Sequence, residues 1–132
     1  MMELGPKELI KEKLRNYPAV QYEEGDGYIG IKPSDANGFP VLLSIYGKQI
    51  TIAALGWHEH FHDFEAALNR LAFLLSEDAR LKVRYKGNVA SKYTLQHREG
   101  SEWVDESEAG TFLYPFWAKE KIVYLQNNFI SE

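Results

Sequence analysis

Turn residues at short, regular intervals are the feature of this sequence that most restricts its fold. The stretches VQYEE, GYIGIK, FPVLLSIYG and QITIAALG follow one another, separated by turns at residues 25–27, 33–38 and 47–48. The stretches are rich in β-branched and aromatic residues, and the turns contain glycine, asparagine and aspartate. The pattern therefore predicts a four-stranded antiparallel meander. Its third strand, residues 41–46, is apolar nearly throughout, which predicts a central position.

Two other segments carry helical periodicity. Residues 6–17 start with Pro6 at the first helical position and end before Pro18, which predicts an N-terminal helix. Further along, apolar residues at alternating steps of four and three predict a central amphipathic helix that ends near Ser76 and packs on the sheet. This stripe consists of Trp57, Phe61, Phe64, Leu68, Leu71 and Leu75.

The start of the central helix has two alternatives. The apolar stripe begins at Trp57, so the helix can begin there. Asp63 is also a good N-cap, and Glu65 would then lie in the first turn, where the helix dipole favours a carboxylate. In the second case residues 57–62 are an extended connection between the meander and the helix.

The last third of the chain returns to strand-forming patterns. LKVRYKG, SKYTLQHRE and SEWVDE predict three strands, with turns at residues 87–88 and 99–100. Residues 121–130 predict a fourth strand, although their apolar spacing also fits a helix. The predicted fold class is α+β, as a single domain over residues 1–132. It has a mostly antiparallel sheet, an N-terminal helix and a central amphipathic helix packed on the sheet.

Composition narrows the class of protein. The chain has no cysteine, which excludes a disulfide framework, a thiolate metal site and a cysteine nucleophile. We see no secretory signal and no apolar run of about 18 residues, so we expect a cytoplasmic protein without a membrane partner. The formal net charge of −4 disfavours nucleic acid as a partner, because phosphate binding depends on basic side chains. Glycine-rich phosphate loops and the serine-hydrolase elbow are also missing from the sequence.

Three of the four histidines stand at alternate positions in the stretch WHEHFHDFE. Its letters HEHFH, residues 58–62, resemble the H-E-x-x-H motif of the zincin metallopeptidases, which implies a zinc-dependent hydrolase. On a helix His58 and His62 lie one turn apart and could bind one zinc ion, with Glu59 as the general base. If the segment is extended, His58, His60 and His62 point to one face. Two adjacent histidines could then share a metal ion, with His60 as the substitute ligand, but a straight strand cannot bring all three together.

A catalytic zinc site of this type needs a third protein ligand. Glu65 and Leu68 stand where the metzincin pattern has its glycine and its third histidine, so the chain departs from that pattern. Glu77 and His97 are other candidates, and the third ligand stays unassigned. The expectation is therefore a protein without a cofactor, with zinc as the alternative.

Four aromatic residues form a candidate interaction surface: Trp103, Tyr114, Phe116 and Trp117. The stretch FLYPFW, residues 112–117, is apolar throughout, and Pro115 keeps it away from the centre of a sheet. We therefore expect part of it to be exposed to solvent or buried in an interface. The other interpretation is that these aromatic side chains fill the core.

Two functions from different classes are compatible with this sequence. The first is a small non-enzymatic binding domain with an unknown protein partner. Small acidic α+β domains of this kind resemble, in general character, the inhibitory partner proteins that neutralise toxins, an analogy of fold and charge only. The second is a zincin-like hydrolase that uses the HEHFH motif. Both are compatible with a monomer or a dimer.

Overall fold

The computed structural model describes residues 5–111 and 113–130, and over this part of the chain it has two helices and two antiparallel sheets. The predicted α+β class is therefore confirmed. Neither of the two described helices is long and apolar enough to cross a membrane. The elements in chain order are α1 (Pro6–Leu14), β1 (Tyr22–Gly25), β2 (Tyr28–Ile31), β3 (Val41–Tyr46), β4 (Gln49–Ala54), β5 (Trp57–Phe61), α2 (Phe64–Leu74), β6 (Ala79–Lys86), β7 (Val89–Glu99), β8 (Glu102–Gly110) and β9 (Glu120–Leu125).

The first sheet is the predicted meander with one strand more. Its strands follow the order β1-β2-β3-β4-β5, so β3 is central as predicted. Gly27 and Gly47 have φ angles of 79° and 62°, which glycine adopts in tight turns at no steric cost. The additional strand is the histidine segment, which pairs with β4 as β5.

Helix α2 begins after the histidines, at Phe64. The Asp63 side chain caps it by accepting a hydrogen bond from the Glu65 N–H at 3.2 Å. The sequence allowed the helix to start at Trp57 or after an Asp63 cap, and the structure has the start after Asp63. Trp57 and Phe61 still point to the core, because residues four positions apart share a face in a strand as well as in a helix.

The second sheet has the order β8-β7-β6-β9. The predicted strand at the end of the chain is confirmed as β9, which pairs with β6 rather than with β8, its predecessor in the chain. The connection between β8 and β9 must therefore cross the end of the sheet, past the turn that joins β6 to β7. This crossing places residues 113–117 beside that turn.

Both sheets and both helices contribute residues to the hydrophobic core, and Asn127 is a buried polar residue of this interior. This side chain is fully buried, and its Oδ1 accepts hydrogen bonds from the N–H groups of Ser34 and Phe39, both at 3.2 Å. Its Nδ2 donates to the carbonyls of Phe39 at 3.0 Å and Leu74 at 3.3 Å. Asn127 therefore joins the segment after β9 to the loop before β3 and to the end of α2.

Candidate functional site

The histidines of the HEHFH motif lie on a strand. His58 and His60 point to the outer face of the first sheet, with ring centroids 5.4 Å apart. The His60 Nδ1 lies 2.8 Å from the Thr51 hydroxyl and 3.0 Å from the Gln49 side-chain amide, which leaves Nε2 as its remaining ring nitrogen. His62 follows the strand, in the bend before α2. An extended segment was expected to point all three histidines to one face. On β5 itself His58 and His60 share a face, and His62 lies beyond the strand.

Glu59 points to the opposite face of β5. Its carboxylate lies 3.0 Å from the Arg70 guanidinium, which also lies 2.7 Å from Glu106. Glu106 in turn lies 3.3 Å from the Nδ1 of His97. Glu59 is thus part of an ion-pair network between the two sheets, and its side chain lies on the face of β5 opposite to the two exposed histidines. Over residues 5–111 and 113–130 no three His, Cys, Asp or Glu side chains are grouped closely enough to hold a metal ion.

The aromatic loop, defined here as Leu113, Tyr114, Phe116 and Trp117, belongs to the connection between β8 and β9. Leu113, Phe116 and Trp117 are 75%, 72% and 76% exposed, although they are large and apolar. The rings of Phe116 and Trp117 contact each other edge to face, with centroids 5.1 Å apart. Phe112, the first residue of the FLYPFW stretch, lies outside the described residues.

The backbone of this connection is held at both ends. The Gly87 N–H in the β6–β7 turn donates to the Lys119 carbonyl at 2.9 Å, and the Ala118 N–H donates to the Pro115 carbonyl at 2.9 Å. Before the loop, the Thr111 N–H donates to the Ser91 carbonyl at 3.0 Å, which extends the pairing of β8 with β7. The aromatic loop therefore projects from an anchored frame.

Trp103 lies apart from the aromatic loop, on the outer face of β8. The Arg80 guanidinium lies 4.4 Å from the Trp103 ring centroid and 4.1 Å from that of Tyr124, so it is held between two rings. Arg98 lies over the same Trp103 ring at 5.2 Å, and the Nε of Arg80 donates to Gln96 at 2.6 Å. Burial lowers the pKa of Arg80 from its ordinary value, but an arginine remains cationic near neutral pH. Trp103 thus belongs to a cation–π stack across the sheet.

The structure therefore brings together three of the four aromatic residues that the sequence singled out. Phe116 and Trp117 are exposed neighbours, and Tyr114 lies at the base of the loop, where its ring is 5.9 Å from the Arg84 guanidinium. Leu113 is an exposed member of the same loop that the sequence reasoning did not select. Its place in an apolar run before Pro115 was the available signal.

Sequence reasoning also missed a row of basic side chains on the outer face of β6. Arg80, Lys82, Arg84 and Lys86 alternate with apolar residues in the strand ARLKVRYK. The net charge of −4 does not show this row, because it sums the charges of the whole chain. The alternation of basic and apolar residues in the sequence of β6 would have indicated it. Glu120 on the neighbouring strand lies 3.9 Å from Arg84 and 3.7 Å from Lys86, so the row is partly neutralised within the sheet.

Comparisons with protein-family models, with curated proteins and with solved structures found no match to this chain. What the chain does therefore has to be inferred from its own surface. The fold and site define an α+β protein of two antiparallel sheets that presents an anchored aromatic loop at one end of the smaller sheet.

Proposed function

We propose that this chain is a non-enzymatic binding domain and that the aromatic loop is its contact surface for a partner protein. The observation that carries the proposal is the exposure of Leu113, Phe116 and Trp117. Burying a large apolar side chain contributes about 1.5–3 kcal/mol, a gain that these three side chains do not give to the fold. A partner that covers them obtains this gain on binding.

The loop also has the geometry of a binding anchor. Residues that dominate the affinity of protein interfaces are enriched in tryptophan and other large aromatic side chains that enter a pocket on the partner. Phe116 and Trp117 project side by side, and the hydrogen bonds of Gly87 and Ala118 hold the backbone around them. An anchored loop loses less conformational entropy on binding than a mobile one. We infer that the partner presents an apolar recess complementary to these two rings.

The charges around the loop favour a protein over nucleic acid as the partner. The basic row on β6 is interleaved with carboxylates, since Glu120 lies near two of its members and Glu108 lies 3.5 Å from Lys92 on β7. A nucleic-acid surface needs cations that are free to neutralise phosphates. A surface with both signs around an apolar centre is the usual arrangement at the rim of a protein interface.

Within this proposal, an inhibitory role resembling that of toxin-neutralising proteins is a narrower form that rests on analogy of fold and charge. We propose that the interaction takes place in the cytoplasm, with which the absence of cysteine agrees. Partner identification in cells tests the inhibitory role, since an inhibitor co-purifies with an enzyme whose activity it lowers.

The test compares three purified chains: wild type, the double variant Phe116→Ser/Trp117→Ser, and the control Tyr46→Ser. Tyr46 is 88% exposed on the first sheet, so the control removes an aromatic residue that is as accessible as those of the loop. Proteins retained by the wild type from an extract of the source cells are identified, purified and titrated by calorimetry. The proposal requires a partner whose affinity falls by at least about tenfold for the double variant and is unchanged for Tyr46→Ser.

Two results would overturn this proposal. The first is a partner that binds the double variant as tightly as the wild type. The second is binding of the wild type, but not of the double variant, to vesicles that contain anionic lipid, with no protein partner. Exposed aromatic and aliphatic side chains next to lysines can also insert into a membrane interface, and the vesicle measurement separates this outcome from protein binding.

A second candidate function is a surface metal site formed by His58 and His60, and the specific observation that favours it is their shared face on β5. Zinc titration of three single alanine variants discriminates the possible ligand pairs. If the site is the extended pair, the variants His58→Ala and His60→Ala lose zinc binding and His62→Ala keeps it. If the protein is a zincin-like hydrolase, His58→Ala and His62→Ala lose zinc binding and His60→Ala keeps it. In that case Glu59→Gln also loses peptide cleavage. Unchanged zinc binding in all three variants would contradict both metal hypotheses.

A further inference from the structure

The edge strands of the two sheets differ in how well they can pair with another chain. Natural edge strands are usually protected by charges, bulges or covering elements. The edge strands β1 and β8 are acidic, and the pairing of β8 with β7 contains a register shift. The edge strand β5 is joined to β8 by the hydrogen bond from Trp57 Nε1 to Ser107 Oγ at 2.7 Å. The carboxylates concerned are Glu23 and Glu24 on β1 and Glu102, Asp105, Glu106 and Glu108 on β8.

Strand β9 has fewer of these protections. Its charged residues, Glu120 and Lys121, are at its start, its register with β6 is regular over Glu120–Leu125, and residues 122–125 are four successive apolar residues. Two of them, Ile122 and Tyr124, are on the outer face and are 39% and 47% exposed. No described strand pairs with the other side of β9. This edge is therefore the one best suited to accept a further strand.

The charges of β9 restrict the register in which a second copy of the same strand can pair with it. In a symmetric antiparallel pair, directly opposed residues share a face, so each symmetric register is defined by the residue that meets its own copy. A register centred on Lys121 opposes two lysines. A register centred on Val123 brings Glu120 against Gln126, whose N–H already donates to the Asn37 carbonyl at 2.8 Å. Only the register centred on Ile122, lying between these two, avoids both conflicts.

We propose that two copies of this chain pair through β9 in the register centred on Ile122, which joins their smaller sheets into one continuous eight-stranded sheet. Lys121 then faces Val123 of the other copy, and Glu120 faces Tyr124, so no like charges are opposed. The two Ile122 side chains cover each other on the outer face. This inference concerns β9 and not the aromatic loop, so it can fail while the proposed function holds, and the reverse.

The natural absence of cysteine allows a direct test of this register. In the proposed dimer the two copies of residue 122 have Cα atoms about 4.5–5.5 Å apart, within the range that a disulfide bridges. The two copies of residue 124 are four residues apart along the strands, or about 13 Å, which a disulfide cannot bridge. The variants Ile122→Cys and Tyr124→Cys are therefore matched, because both carry one thiol at a half-exposed position of the same strand face.

The expected results are a wild-type mass by light scattering of twice the chain mass of 15.2 kDa, and rapid disulfide dimerisation of Ile122→Cys but not of Tyr124→Cys under mild oxidation. Ile122→Glu should convert the protein to a monomer with an unchanged circular dichroism spectrum, because it opposes two carboxylates at the centre of the pair. Leu42→Glu, at a half-exposed position of the first sheet, should remain a dimer. A monomeric wild type, equal oxidation of the two cysteine variants, or a dimer that survives Ile122→Glu would each overturn the inference.

Discussion

The core and the aromatic loop use the same kind of side chain in opposite ways. Trp57 is 2% exposed, and its indole N–H donates to Ser107 at 2.7 Å. Trp117 is 76% exposed, and its ring contacts Phe116, which is itself exposed. The fold therefore depends on the first tryptophan and gains little from the second. The proposed function gives this exposed tryptophan a role in contact with another molecule.

The buried polar groups also show that the interior is complete without the aromatic loop. Over the described residues, every buried side-chain nitrogen or oxygen has a hydrogen-bond partner. Asn127 is the clearest case, since from a fully buried position it bonds to both the loop before β3 and the end of α2. An interior in which the polar groups are satisfied to this degree does not need the loop to complete it. The following variants test this difference between the two regions, from the largest expected effect to the smallest.

Trp57→Ala should lower the free energy of unfolding by about 3–5 kcal/mol, because it leaves a large cavity between the sheets. Trp117→Ala should change it by less than about 0.5 kcal/mol, since the side chain is on the surface. Urea unfolding followed by circular dichroism measures both without depending on tryptophan fluorescence. Losses of equal size in the two variants would contradict the distinction between core and loop.

Asn127→Ala should lower the free energy of unfolding by about 2–4 kcal/mol, because it leaves buried backbone groups of Phe39 and Leu74 without partners. The neighbouring Asn128 is exposed, so Asn128→Ala should stay within about 0.5 kcal/mol of the wild type. The same urea titration compares the two. A loss of less than about 1 kcal/mol in Asn127→Ala would show that the buried amide is not needed to join its three segments.

Asp63→Ala should cost about 1 kcal/mol, because it removes the side-chain cap of α2, the helix that covers the core. Asp63→Ser should recover most of this loss, since serine is also a good N-cap. Thermal unfolding of the three chains under identical conditions provides the measurement. An unaffected Asp63→Ala variant would contradict a stabilising role for this cap.

The double variant Phe116→Ser/Trp117→Ser should keep the unfolding free energy within about 1 kcal/mol of the wild type, because both side chains are already in water. It should also bind less of a fluorescent hydrophobic dye, since the dye reports exposed apolar surface. Dye titration and urea unfolding of the same samples give the two values. Destabilisation by more than about 2 kcal/mol would mean that the loop belongs to the fold.

Local patterns in the sequence predicted much of this fold. Alternation and turn glycines determine β2, β3 and β4, and Asp63 marks the start of α2, because each of these signals acts over a few residues. The segment 57–62 stayed ambiguous for a physical reason. Trp57 and Phe61 are four residues apart and reach the core from a strand as well as from a helix.

Pairing between strands that are distant in the chain could not be predicted from the sequence. Nothing near β9 indicates that it pairs with β6, or that the strands divide into two sheets, since both depend on contacts between distant segments. The burial of Asn127 is of the same kind, because its partners lie in two distant parts of the chain, the loop before β3 and the end of α2. For the aromatic loop, Pro115 signalled that part of the apolar run lies outside a sheet, and the structure shows which side chains are exposed. Trp103 was grouped with them by residue type alone.

The central claim is that the aromatic loop contacts another protein in the cell. A photo-crosslinking amino acid placed at position 117, and in a separate chain at position 46, tests it directly, because both positions hold exposed aromatic residues in the wild type. We predict that irradiation of the source cells gives a defined protein adduct from position 117 and none from position 46. The same adducts from both positions, or no adduct from position 117, would contradict the claim.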